Sequence, residues 1–178
     1  LRAAVGKDQC ASADVFDSRE QLDARFECDW ARVSEKAGIR RLVQQYGKEE
    51  DDYETRLFKL KDALRAHYQT VAQAQVYYAA CSVSDSFDIS LNSFSLLLAE
   101  AAIPDKKSKL CKQAHCDQVF IAANLETGCK GETENAANDD RALCRFELAE
   151  ALILLSNLKY IQENLTKDIV EAVTWMLE

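Results

Sequence analysis

One proline and five glycines punctuate this chain of 178 residues. A chain that turns often needs both types, glycine for left-handed backbone and proline to end a helix. With so few of either, and with Ala, Leu, Glu, Lys and Gln abundant, the chain can build long helices and few turns. The expected fold class is all-α. A hydrophobic fraction of 48 % suffices for a core, so one domain is expected, extended by a helical arm at its N-terminal end.

Apolar spacing divides the chain into helices. Leu22, Phe26, Trp30 and Val33 share one face of a helix expected over 18–36, with Asp17 and Glu20 as a capping pair and Gly38 as its left-handed end. A short helix from Ile39 to Tyr46 follows. An acidic start (Glu49 to Asp52) then opens one long helix to about Cys81. Its Tyr53, Leu57, Leu60, Leu64, Val71 and Tyr78 recur almost as a heptad seam, interrupted at His67 and Gln75. Later helices are expected over Phe94–Ala102, stopped by Pro104, and over Lys109–Asn124, with Leu110, Ala114, Val119 and Phe120 inward. A further helix runs from Leu143 to Gln162, and a last short one carries Ile169, Val173, Trp175 and Met176. These divide the chain into an arm with its helices (1–50) and a helical domain (51–178).

Totals exclude several functions. A net charge of −8 is the wrong sign for nucleic acid, whose phosphates require clustered Lys and Arg. The longest apolar run, about Ala149 to Leu155, is far too short to span a membrane. The chain shows no signal peptide and begins at Leu1, as expected of a processed product or a fragment. The seven cysteines (10, 28, 81, 111, 116, 129 and 144) are odd in number and scattered through helical sequence, so they read as free thiols. Cys111, His115, Cys116, Cys129 and Cys144 lack the spacing of a zinc ribbon or finger. Adjacent His115 and Cys116 point to different sides of a helix, which rules against a nucleophile–base pair. No phosphate loop, HExxH or GxSxG occurs. No enzyme activity is expected.

The stretch from Ser82 to Leu155 repeats a layout: a polar turn, one aliphatic residue (Ile89, Leu143), then a helix opening with an aromatic (Phe94, Phe146). A calcium-binding helix–loop–helix carries oxygen ligands at loop positions 1, 3, 5, 7, 9 and 12, Gly at 6, and at 8 an aliphatic residue that pairs with its twin. With Ile89 at position 8, Ser82, Ser84 and Ser86 fall at 1, 3 and 5, Phe87 at 6 and Ser93 at 12. Neutral hydroxyls cannot compensate for stripping water from a divalent cation. With Leu143 at position 8, Ala136 falls at 1, Asn138 at 3, Asp140 at 5, Arg141 at 6 and Glu147 at 12. Asn138, Asp140 and Glu147 are thus the metal candidates, but the first ligand and the glycine are missing. Glu147 is expected to cap the turn through a backbone amide instead. Neither calcium nor zinc is expected as a cofactor.

The segments CDQVFIAANL, with Cys116, Asp117, Phe120, Ile121 and Asn124, and NDDRALCRFELAEALILLSNLKY, with Leu143, Arg145, Phe146 and Glu147, carry a resemblance. The chain resembles degenerate EF-hand-like helical domains of large proteins from unicellular eukaryotes, many associated with cilia or the cytoskeleton. It does so over about Tyr77 to Tyr160. The resemblance implies a paired helix–loop–helix unit with its core in 77–160, binding protein partners without catalysis, in the cytoplasm at a cilium or the cytoskeleton. Ile89 and Leu143 would pair the loops. Exposed apolar residues of the first and last helices, Phe26, Trp30, Trp175 and Met176, are the partner-binding candidates. Two alternatives stand beside this adaptor reading: a calcium-responsive sensor using the second loop, and a disulfide-containing extracellular or lumenal helical protein.

Overall fold

The computed structural model describes residues 19–81, 88–105, 108–125 and 142–178, and these are mostly helical. In chain order they form α1 (Arg19–Glu35), α2 (Ala37–Gln45), α3 (Tyr53–Ala80), β1 (Ile89–Ser90), α4 (Leu91–Glu100), α5 (Gln113–Ala123), β2 (Ala142–Leu143), α6 (Arg145–Ser156), a π-helical turn (Asn157–Ile161) and α7 (Ile169–Leu177). The fold is all-α, as the scarcity of turn residues requires. Asp17, Cys10 and Cys129 lie outside the described residues.

Local chemistry sets the helix starts. Asp52 accepts the Thr55 N–H at 2.8 Å to open α3, and hydrogen bonding to the Thr55 side chain, together with that backbone bond, holds its carboxyl below the usual range. Ser90 accepts from Ser93 N–H at 3.3 Å at α4, and Asp168 accepts from Val170 N–H at 2.9 Å at α7. The end of α4 is a left-handed turn at Ala102 (φ 51°), where the Ile103 N–H returns to the Leu98 carbonyl at 3.0 Å. Pro104 comes one residue after that turn, so the helix is already closed before it.

The break between α1 and α2 falls at Lys36, not at Gly38. Lys36 is extended (φ −64°, ψ 126°), and no described glycine has positive φ. Gly38 sits inside α2, facing Leu154. The extended residue turns the Lys36 side chain into the protein, where its partners lie.

Two apolar cores share α6. Phe94, Leu98, Cys116, Phe120, Leu148, Ala151 and Leu155 meet Ile89 and Leu143 in one. Phe26, Trp30, Val33, Ile39, Leu60, Leu64, Tyr68, Ile153, Ile169 and Val173 form the other. Nearly every residue of α6 from Glu147 to Ser156 is buried, so it is the central helix, apolar all round. The long helix α3 gives Leu60, Leu64 and Tyr68 to the second core and Val71 and Ala79 to the first. It is therefore a core helix of this chain. Helices α1 and α2, expected with the arm, are packed into the second core, because the Leu22–Phe26–Trp30–Val33 stripe covers α3 and α6.

Candidate functional site

The site is the place where the described residues that lead into α4 meet those that lead into α6. The strands β1 and β2 pair antiparallel, with Ile89 opposite Leu143 and Ser90 opposite Ala142. Both aliphatic side chains are fully buried in the first core. Gln75 on α3 reaches across and donates its Nε2–H to the Leu143 carbonyl at 3.1 Å. A polar residue that merely interrupts an apolar seam in sequence thus ties the long helix to the clasp.

Of the three metal candidates, Asn138 and Asp140 lie outside the described residues. Glu147 is 1 % exposed, and its Oε2 accepts the Cys144 N–H at 2.9 Å across the first turn of α6. A carboxylate three residues into a helix that reaches back to the residue before it is one half of a capping box. Burial, together with the charge of Glu147, pushes the Cys144 thiol up. Among the described residues, no group of three or more His, Cys, Asp or Glu is placed to hold a metal ion.

Four charged side chains that apolar periodicity overlooks brace the same helix. Asp29 on α1 takes the guanidinium of Arg145 through Nε and, at 3.1 Å, Nη2, and also accepts the Tyr68 hydroxyl from α3. Hydrogen bonding to Asp29 raises Arg145. Burial, with Asp29 beside it, raises Tyr68. Lys36 donates to the carbonyls of Ala123 and Leu125, both at 3.1 Å, and lies 3.1 Å from the Glu150 carboxylate. Its ammonium therefore seals the C-terminal end of α5, where helix carbonyls lack partners. Burial pushes Glu150 up to about 7 although Lys36 pulls the other way. The sequence signal was there in Glu150 alone: a charge inside the most apolar run of the chain requires a buried partner.

Phe26 and Trp30 are not surface residues. They are 1 % and 7 % exposed, with Phe26 edge-on to Tyr68 at 5.1 Å and stacked near Trp30 at 6.4 Å. One apolar stripe on an amphipathic helix goes to its own chain's core before any partner. Trp175 is 39 % exposed and packs its ring on Tyr160 at 5.5 Å, while Met176 is half-buried against the first core. Phe58, Val76, Tyr77, Ile121, Leu125 and Leu165 are more exposed than Trp175. In α5 Val119 and Phe120 are inward as expected, but the helix starts at Gln113, Leu110 and Ala114 face out, and Cys111 and Cys116 are inside.

A furrow of about 630 Å³ between α1 and α3 is lined by Arg19, Asp23, Asp62 and Arg65 with Leu22, Ala66 and Gln69. Those groups balance in charge and include no cysteine, histidine or hydroxyl that could attack a substrate. His115 uses its Nδ1 to accept the Lys112 N–H at 3.3 Å. Among the described residues Cys28, Cys81, Cys111, Cys116 and Cys144 are free thiols. No described helix is long and apolar enough to cross a membrane. No protein-family model matches this chain, and no curated protein or solved structure is similar to it at a significant level.

Proposed function

We propose that this chain is a non-catalytic helical adaptor, a degenerate EF-hand-like pair that serves as a protein-binding subunit of a larger assembly. The observation that carries the reading is the placement of Glu147. The carboxylate that a calcium loop would turn onto its ion is buried and caps α6. Loop pairing through Ile89 and Leu143 supplies the register that a pair of bound ions would otherwise stabilise. The exposed apolar residues of α3, α5 and α7, with Trp175 among them, are the surface offered to a partner helix. The setting implied by the resemblance is the cytoplasm, at a cilium or the cytoskeleton.

Calorimetric titration with calcium tests this. The adaptor gives no binding heat at micromolar calcium and the same melting temperature in calcium and in chelator. Heat that disappears in Glu147→Gln would instead identify a calcium sensor acting through the second loop. Native co-purification with Trp175→Ala as the control then reads whether the α7 surface is the one a partner uses.

A further inference from the structure

Helix α3 changes character halfway along its length. Its first half carries Glu54, Arg56, Lys59, Lys61, Asp62 and Arg65, whereas from Ala66 to Ala80 it holds no Asp, Glu, Lys or Arg. Burial does not explain the change. Ala66, Gln69, Gln73, Val76, Tyr77 and Ala80 are all exposed, Val76 at 70 % and Tyr77 at 60 %. Their spacing of three, four and seven residues places them in one stripe along the helix. That stripe lies opposite the Leu60, Leu64, Tyr68 and Val71 side, which packs into the chain's own cores. In a chain of which 29 % is charged, contact with water alone does not call for a neutral face.

We propose that this face binds the same face of a second copy of the chain, the two α3 helices running antiparallel about a two-fold axis at Gln73. This names the occupant of the α3 part of the partner surface, and it rests on that part of the adaptor reading alone. Charge selects the second copy. A chain of net charge −8 repels its own copies over most of its surface. The stripe is where two copies approach without setting like charges together. An amide both donates and accepts, so Gln73 can bond to its own counterpart across the axis. The direction follows from Asp62, which lies on the same stripe one turn before Ala66. In a parallel pair it would face the Asp62 of the second copy, whereas antiparallel pairing puts it beyond the end of the second α3. The same symmetry sets Ala66 against Ala80, Thr70 against Tyr77 and Gln69 against Val76, each contact made twice. Ala66 and Gln69 also line the furrow between α1 and α3, so the Val76 of each copy meets the mouth of the other's furrow, near Leu22. At about 1.5 Å per residue the stripe is about 20 Å long, a small contact that gives a dissociable dimer with a micromolar Kd.

Sedimentation equilibrium of the whole chain, kept reduced, from about 1 µM to about 300 µM tests this. The expected result is a monomer–dimer equilibrium with a micromolar Kd. Val76→Glu raises that Kd by about tenfold or more and leaves the melting temperature unchanged, because Val76 faces water in the monomer. Phe58→Glu puts the same charge on the same helix at an exposed position outside the stripe, and it leaves the Kd within about twofold. With the exposed Cys28 and Cys81 replaced by serine, Gln73→Cys oxidises to a covalent dimer linked at that position, and Ala80→Cys links to itself far more slowly. A monomer at every concentration would overturn the proposal, and so would a dimer weakened equally by the two glutamate variants. Self-linking of Ala80→Cys as fast as that of Gln73→Cys would overturn the antiparallel arrangement. No other protein enters these measurements, so a monomeric chain strikes the self-pairing of α3 and leaves the α7 surface to its own co-purification.

Discussion

Asp29 and Arg145, 116 residues apart in sequence, meet as a two-pronged ion pair that pins α1 to the first turn of α6. Tyr68 of α3 donates to the same carboxylate, so three helices converge on one acidic side chain. Removing the acid leaves a guanidinium and a phenol facing a hole, the costly way to break a buried pair. Arg145 is one-third exposed, which lets water take part of the loss. Asp29→Ala is expected to destabilise the fold by about 2–3 kcal/mol, and Asp29→Asn by roughly half that because it still accepts from Tyr68. Urea unfolding of the two variants beside the wild type checks the order. Equal losses would show that charge alone matters there.

Ala102 holds a position that glycine normally fills. Its φ of 51° closes α4 in a left-handed turn, which costs an L-residue about 1–2 kcal/mol, while glycine gives back about 0.5–1 kcal/mol in unfolded-chain entropy. Ala102→Gly is therefore expected to stabilise by about 0.5 kcal/mol or slightly more. A drop in denaturant midpoint would mean that the alanine methyl packs well enough to outweigh its backbone strain.

The helices were legible because period and punctuation agree: Leu60 and Leu64 are read as inward from spacing alone and are inward in the fold. The pairing of Ile89 with Leu143 was legible because both follow polar turns and precede helices at matching offsets. What spacing could not reveal is where polar atoms meet. Lys36 ends α1 for the sake of carbonyls at Ala123 and Leu125, nearly ninety residues further along the chain. Nothing local in Ser-Glu-Lys-Ala-Gly signals that, and the neighbouring glycine draws the helix boundary to the wrong place. Phe26 and Trp30 misled for a related reason. An apolar stripe is the same in sequence whether its partner is another chain or α3.

Glu147 separates a cap from a ligand by how it responds to two substitutions. Glutamine at the third helical position can cap as glutamate does, whereas alanine cannot. Glu147→Gln is expected to change stability by less than about 0.5 kcal/mol, and Glu147→Ala to cost about 1–2 kcal/mol, since the cap and a buried side chain are both lost. Neither value should depend on calcium. Thermal melts in calcium and in chelator provide the comparison, and a calcium-dependent Glu147→Gln effect would make the residue a ligand.

The Lys36–Glu150 pair gives stability an unusual slope with pH. Burial raises the Glu150 carboxyl from its ordinary 4.5 to about 7, with Lys36 opposing and Glu147 adding to the shift. The folded state thus holds this proton more tightly than the unfolded chain does. Below the unfolded value both forms are protonated and the preference for the native state is intact. As pH rises from about 4.5 towards 7, the unfolded chain ionises first, and stability falls until the native carboxyl has also ionised. At about 1.4 kcal/mol per unit, this one group removes at most roughly 3 kcal/mol across that window. Glu150→Gln resembles the protonated form and has no such decline. Its stability relative to wild type should therefore rise by about 2–3 kcal/mol between pH 5 and pH 8, as the wild type falls. Urea midpoints measured at each pH decide it. A difference that stays flat would mean that Lys36 keeps Glu150 ionised throughout, as a fully matched ion pair would.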